Sequence, residues 1–229
     1  MAIVRAKQAA DDCTTEVLLL DQTAAPASEA DRKLRGGYYT PQPIAEVLTR
    51  WAIRDADTEV LEPSCGDGAF LAALISKVER ASLVTAVELD LAEAAKAELR
   101  VGAAVDVIRG DFFMWFLASS PVGRYGAVVG NPPFIRYQNF PEAHRDAAFA
   151  IMRAEGLRPS RLTNAWVPFV VAATRALRPG GRLAMVVPAE LLQVGYAAEL
   201  REYLVRKYRR LVIVTFRHLL FEGTQQETV

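Results

Sequence analysis

"VVGNPPFIRYQ", Val128 to Gln138, sets the problem. A β-branched run stops at Gly130 and is followed by Asn131, two adjacent prolines and Phe134. Proline fixes its own φ and has no N–H to donate, so the stretch cannot continue as the middle of a central strand. It reads as the end of a buried strand whose last residues are held rigid. Asn131 offers a side-chain carbonyl, and Pro132 a backbone carbonyl that its ring keeps in place. Two acceptors converging on one amino group bind both of its protons and leave the nitrogen lone pair pointing outward. Phe134 can stack on the ring that carries such a group. No titratable base is needed before that nitrogen attacks, because its proton can leave afterwards. The prolines are there to aim acceptors.

Outward from this point the chain alternates strand-like and helical segments. "TEVLEP" (58–63), "SLVTAVELD" (82–90), "VDVIRGD" (105–111), "YGAVVG" (125–130), "RLAMVVP" (182–188) and "LVIVTF" (211–216) read as strands. "AFLAALISKVER" (69–80) has helical spacing, and "LAEAAKAELR" (91–100) is built from strong helix formers. A short helix is expected near "FFMWFLA" (112–118), and a long one over "AELLQVGYAAELREYLVRKY" (189–208). "AWVPFVVAATRAL" (165–177) is helical and is ended by the turn residues "RPGG". Residues 135–163 form a polar insertion with a helix around "EAHRDAAFAIMR" (142–153). Residues 1–35 read as an arm with one helix, and "QETV" (226–229) as the start of a further strand. Such alternation predicts an α/β fold, with a mostly parallel sheet covered on both faces.

Ligands of parallel sheets bind beyond the carboxyl ends of the strands, so the strand ends are where chemistry is sought. The first is followed by Gly66 and Gly68, which allow a tight turn and close approach of a ligand to bare backbone. A dinucleotide site would want a third glycine at position 71, where Leu71 stands. Glu88 ends the second strand, about twenty residues beyond that loop, where a carboxylate can accept from both hydroxyls of a ribose. Asp111 ends the third. Its carboxylate can accept from an exocyclic amino group, and Phe112 beside it can cover one face of a purine. Each is also a common structural feature: a turn glycine, a solvated acid, a Gly-Asp turn. Taken in order, the three ends describe an adenosine pocket.

The bulk properties constrain what surrounds that pocket. The 229 residues suit one sizeable domain, with 52% hydrophobic and 24% charged residues, an ordinary globular composition. Twenty-seven Lys and Arg balance 27 Asp and Glu, so no global field draws the chain to nucleic acid, although local basic surfaces remain. Cys13 and Cys65 are too few for a disulfide framework, and reduced thiols point to the cytoplasm. "VLLL" (17–20) is too short for a signal-peptide core, and no apolar run spans a bilayer, so no membrane partner is expected. His144 and His218 have no Cys/His cluster around them, which argues against a structural zinc.

With these residues in view, the sequence resembles the adenine-N6 DNA methyltransferases of restriction–modification systems, in the class whose cofactor motifs precede the target motif. "GGYYTP" (36–41) resembles the N-terminal cofactor motif of that family and "LEPSCGDGAFL" (61–71) its glycine loop. "VELD" (87–90), "GDFF" (110–113) and "GNPPF" (130–134) follow in the family's order. "LTNAWVPF" (162–169), "LAMVVPAELL" (183–192) and "LLFEGTQQETV" (219–229) resemble later motifs. The resemblance covers residues 36–229 and implies a Rossmann-like S-adenosylmethionine-dependent methyltransferase fold. That fold carries a seven-stranded sheet, here with its last strand cut short.

What the resemblance implies can be placed on this chain. Tyr39, Thr40, Glu62, Ser64, Cys65 and Gly66 would line the cofactor site, with Thr40 and the 64–66 backbone against the methionine part. Glu88 would bind ribose, Asp111 and Phe112 would hold adenine, and Phe169 would line the same pocket. Asn131, Pro132 and Pro133 would present the target amino group toward the methyl donor, so Asn131 belongs to both sites. Phe134 would stack on a flipped adenine, with Arg136 and Tyr137 beside it and Phe221 at its edge. The base must leave the duplex because its amino group is otherwise paired.

Family members usually carry a separate target-recognition domain after the catalytic one, and no such domain is read in this chain. A recognition domain or partner subunit is therefore expected elsewhere, with double-stranded DNA as substrate. Residues 134–162 hold five arginines against three acids, a net of +2, and residues 199–217 hold six basic groups against two, a net of +4. The first is the favoured DNA contact because it follows the Asn-Pro-Pro-Phe stretch directly. Two other readings remain open at this point: methylation of an RNA base or a protein glutamine amide, and a module that binds the cofactor without turnover.

Overall fold

The structure, a computed structural model, describes residues 2–6, 14–20, 39–102, 104–216, 220, 228 and 229. Five strands form the parallel heart of the sheet: β3 (Val60–Glu62), β4 (Val84–Glu88), β5 (Val107–Arg109), β6 (Tyr125–Gly130) and β7 (Leu177–Met185). They are ordered β7-β6-β3-β4-β5, each parallel to its neighbours, so their carboxyl ends share one edge. β8 (Tyr208–Phe216), β1 (Ala2–Ala6) and β2 (Thr14–Leu20) extend the sheet past β7 in the order β2-β8-β1-β7. β1 runs antiparallel to both β7 and β8, whereas β2 is parallel to β8.

The sheet therefore has eight strands rather than seven, and the expected N-terminal helix is absent from residues 2–6 and 14–20. "AIVRA" and "TTEVLLL" are rich in β-branched residues, which fit a pleated surface better than a helix. Pairing with β7 and β8 settles a choice that a short arm alone leaves open. At the other terminus, Thr228 bridges Pro188 antiparallel, and Val229 exchanges both backbone hydrogen bonds with Val187 at 2.8 and 2.9 Å.

Helices cover both faces, as expected. One face carries α1 (Gln42–Ala52), α2 (Ala69–Ile75) and α3 (Leu91–Arg100), whose Ile44, Leu48, Phe70, Leu71, Leu74, Ala94 and Ala97 share one apolar cluster. The other carries α4 (Phe112–Ser119), α5 (Glu142–Ala154), α6 (Trp166–Ala176) and α8 (Ala198–Lys207), around Phe113, Phe116, Trp166 and Tyr203. All but one residue of α6 is buried, which explains why its sequence is apolar all round. The long helix expected over 189–208 is broken into α7 (Glu190–Gln193), a 3-10 turn at Gly195–Ala197, and α8. Val194 is extended there, next to a glycine that costs a helix interior about 1 kcal/mol. β7 also begins earlier than expected, at Leu177, and takes in "RPGG"; its pairing with β6 shifts register between Tyr125 and Ala127.

Candidate active site

At three adjacent strand ends a local backbone amide engages a carboxylate, and the next strand end carries Asn131. After β3, the loop Ser64–Gly68 is held by its own backbone. Ser64 N–H donates to Glu62 Oε1 at 3.3 Å, Cys65 N–H to the Val87 carbonyl at 3.0 Å, and Gly66 N–H to Glu88 Oε2 at 2.8 Å. Gly68 is required where α2 begins: its φ is +86°, and a Cβ would stand 2.9 Å from Ala97 Cα of α3. The three loop N–H groups are thus committed within the protein.

Glu88 ends β4 with both oxygens engaged, since Asp90 N–H also donates to Oε1 at 2.8 Å. Burial raises its pKa above the ordinary carboxylate value, and these two N–H donors oppose that. Each oxygen keeps a second lone pair, so the fixed carboxylate can still accept from a ligand diol. Glu62 is fully buried; burial, with the neighbouring Glu88 charge, holds its pKa well above the ordinary range, against the Ser64 N–H. Its Oε2 has no hydrogen-bond partner among the described residues. Burial likewise pushes up the Cys65 thiol, so Cys65 supplies no thiolate.

Asp111 caps α4 by accepting from Met114 N–H at 2.9 Å. Phe112 is placed differently from expectation. It is 2% exposed, and its ring stacks on Phe169 at 5.1 Å and 15°. Phe169 thereby covers one face of the Phe112 ring. An apolar cluster of Phe113, Trp115 and Phe116 draws Phe112 inward. Tyr39 donates its hydroxyl to Glu93 in the first turn of α3 at 2.7 Å, and Thr40 is buried beside it at the start of α1.

The fourth end is Asn131. Gly130 precedes it without room for a side chain, as a Cβ would stand 2.5 Å from Glu62 Oε1. Ser64 Oγ donates to the Asn131 carbonyl at 3.3 Å and so ties the glycine loop to the Asn-Pro-Pro-Phe turn. Pro132 is buried, and Phe134 is half-buried against the apolar clusters of both faces. Sequence reading missed this tie because Ser64 and Asn131 lie 67 residues apart.

Beyond Phe134 the two expected base neighbours separate. Arg136 is exposed, while the Tyr137 ring lies between the Arg145 guanidinium, at 4.7 Å, and Phe149, at 6.3 Å, and so packs on α5. Of the five arginines in this insertion, Arg136, Arg153 and Arg161 are exposed and carry no ion pair among the described residues; Arg158 is paired with Glu199. Three of the six basic groups of the C-terminal region are engaged internally: Lys207 on Glu155, Arg206 on Glu202, and Arg201 on the Leu191 and Val194 carbonyls. Phe221 lies outside the described residues.

Two further polar groups escaped the sequence reading. Asn164 Nδ2 donates to the Tyr196 hydroxyl at 3.1 Å, and Tyr196 donates to Glu190. This cluster is joined to the turn after Phe134 through Ala165 N–H to the Ile135 carbonyl, 2.9 Å. His144, on α5, stands beside Asp111. Neither contact has a local signal, because each joins elements far apart in sequence.

The model of the Eco57I restriction-modification methylase family matches residues 87–221, more than half of the chain. The chain belongs to that family. A second model, N-6 DNA Methylase, matches residues 16–96. The chain is 24% identical over 196 residues to the type II methyltransferase M.AccI of Acinetobacter calcoaceticus, covering 83% of this chain and 35% of that protein. It is 27% identical over 197 residues to M.TthHB8I, a type II methyltransferase of Thermus thermophilus, covering 83% and 43%. The chain thus spans less than half the length of these relatives. Its fold matches a Listeria monocytogenes protein assigned to the class I S-adenosylmethionine-dependent methyltransferases, with TM-score 0.61 and 17% identity over 82% of this chain and 58% of that one.

Proposed function

We propose that this chain is the catalytic part of a DNA methyltransferase that modifies the exocyclic N6 of adenine, as the modification activity of a restriction–modification system. One observation carries the reading. A nucleoside-type set of acceptors, Glu88 and Asp111, shares a sheet edge with Asn131-Pro132-Pro133-Phe134, and Ser64 joins the two. The donor set fits S-adenosylmethionine: two carboxylates for ribose and adenine, and loop carbonyls near Ser64–Gly66 for an ammonium group. When bound, that cofactor supplies an electrophilic methyl group.

The rest is the work of this chain's residues. The Asn131 side-chain carbonyl and the Pro132 carbonyl accept the two amino protons and keep the nitrogen lone pair directed outward. Phe134 stacks on the extruded base, worth about 1–3 kcal/mol. Arg136, Arg153 and Arg161, exposed on the insertion, would meet phosphate, which positions a duplex without specifying its sequence. Recognition of a particular sequence then requires a further domain or subunit. No helix among the described residues is long and apolar enough to cross a membrane, and a cytoplasmic site of action suits a DNA substrate.

The test offers the chain plasmid DNA, bulk RNA and a glutamine-bearing protein in parallel with methyl-labelled cofactor. The expected result is label in DNA, recovered as N6-methyldeoxyadenosine after digestion. Label confined to RNA or protein would overturn the substrate assignment.

A further inference from the structure

His144 has no part in the chemistry described above, yet the fold carries it to the cofactor side of the edge. It lies in the first turn of α5, more than thirty residues after Asp111. The insertion following Phe134 folds back over α4, so that His144 Nδ1 lies 3.3 Å from Asp111 Oδ2. Phe140, just ahead of α5, packs on Phe113 with ring centroids 5.9 Å apart, which fixes this approach. The Asp111 side chain is 9% exposed and that of His144 26%. The other carboxylate oxygen, Oδ1, is occupied by Met114 N–H of the helix cap. Asp111 is therefore bonded to a backbone amide through one oxygen, while an imidazole nitrogen lies 3.3 Å from the other.

We infer that His144 is a specificity residue for the purine end of the cofactor, one that locks Asp111 as a hydrogen-bond acceptor for an exocyclic amino group. The inference rests on the reading of Glu88 and Asp111 as a nucleoside pocket. With its proton on Nδ1, the imidazole donates to Oδ2 and leaves that oxygen a second lone pair. An amino group at the purine 6-position satisfies that lone pair. A 6-oxo group sets acceptor against acceptor, and a carboxylate pinned at both oxygens cannot rotate to relieve the clash. A carboxylate pinned only by the cap can. Discrimination thus comes from restraint of Asp111, and His144 supplies half of it.

The test compares S-adenosylhomocysteine with S-inosylhomocysteine, which carries oxygen in place of the amino group, by calorimetry. The wild-type chain should prefer the adenosyl compound. His144→Ala should narrow that preference about tenfold, the worth of one hydrogen bond to a charged group. His144→Asn, whose amide nitrogen can stand near the Nδ1 position, should restore most of it. An unchanged preference in His144→Ala would overturn the role of His144 alone. So would equal weakening for both compounds, which would mean that the histidine only packs α5. Failure of the wild-type chain to bind either compound would overturn the nucleoside pocket itself.

Discussion

The two halves of the sheet edge are held together in different ways. Over β3, β4 and β5 each carboxylate has a restraint short in sequence: Glu62 meets the Ser64 amide, Glu88 the Asp90 amide, and Asp111 the Met114 amide, spans of two or three residues, beside longer ties from Gly66 to Glu88 and from His144 to Asp111. Over β6 and β7 they are long. Asn164 reaches Tyr196 across 32 residues, Arg158 reaches Glu199 across 41, and Tyr203 reaches Glu155 across 48. Glu155, at the C-terminal cap of α5, gathers Arg175 at 3.4 Å, Lys207 at 2.8 Å and the Tyr203 hydroxyl at 3.1 Å. On the proposed reading, the cofactor half leans mainly on local turns, with longer ties from Cys65, Gly66 and His144, and the target half on tertiary clamps on an insertion. Damage to one half should spare the other, except where His144 of α5 meets Asp111.

A large effect is expected at Phe134. Phe134→Ala should lower turnover by up to about a hundredfold, from the loss of ~1–3 kcal/mol of base stacking, with cofactor affinity unchanged. Phe134→Trp should keep part of the activity. Steady-state kinetics beside equilibrium dialysis would show a breach of the division if both quantities fell together.

Next comes the clamp. Glu155→Ala leaves two cations and a buried hydroxyl without their shared acceptor, and should cost about 2 kcal/mol, read as a lower urea midpoint. Cofactor binding at temperatures where the variant is folded should not change. Weaker cofactor binding there would mean that the Glu155 clamp, and not only His144 at the start of α5, supports the cofactor half.

An effect of similar size is expected where the halves touch. Gly130→Ala sets a methyl group against Glu62 Oε1 and should cost about 1–3 kcal/mol. Glu62→Ala in the same chain removes the obstacle, so the double variant should lose less than the sum of the two single losses. Additive losses would show that the two residues do not press on each other.

The smallest effect is on the pH dependence of stability. The Glu62 pKa is raised in the folded chain, so the native state binds a proton that the unfolded chain gives up near the ordinary value of 4.5. Its contribution is complete below that value and fades as pH rises toward the higher folded pKa. Stability should therefore slope downward with pH over that window, and Glu62→Gln should flatten the slope. Denaturation midpoints measured across the window test this, and an equal slope in the variant would contradict it.

These same distances explain what sequence reading could reach. Glu88, Asp111 and the Asn-Pro-Pro-Phe turn were visible because each is a property of a few consecutive residues at a strand end. The break at Val194–Gly195 was hidden within an otherwise helical composition, where one glycine is a weak signal. Strands β1 and β2 gain their partners from β7 and β8, some 200 residues away, so nothing local distinguishes them from an arm. Phe112 shows the limit most plainly. Its position beside Asp111 is a matter of sequence, but the direction of its ring is decided by Phe169, 57 positions further on.

The most direct test of the division sets Asn131→Ala beside Glu88→Ala, with cofactor binding and single-turnover methyl transfer measured on the same samples. Asn131→Ala should bind S-adenosylmethionine as the wild type does and transfer no methyl group, because the lost acceptor serves the target. Glu88→Ala should bind about tenfold or more weakly, from the loss of charged hydrogen bonds, and recover transfer at saturating cofactor. If each variant lost binding and transfer together, the edge would be a single undivided site, and its separation into a cofactor half and a target half would be wrong.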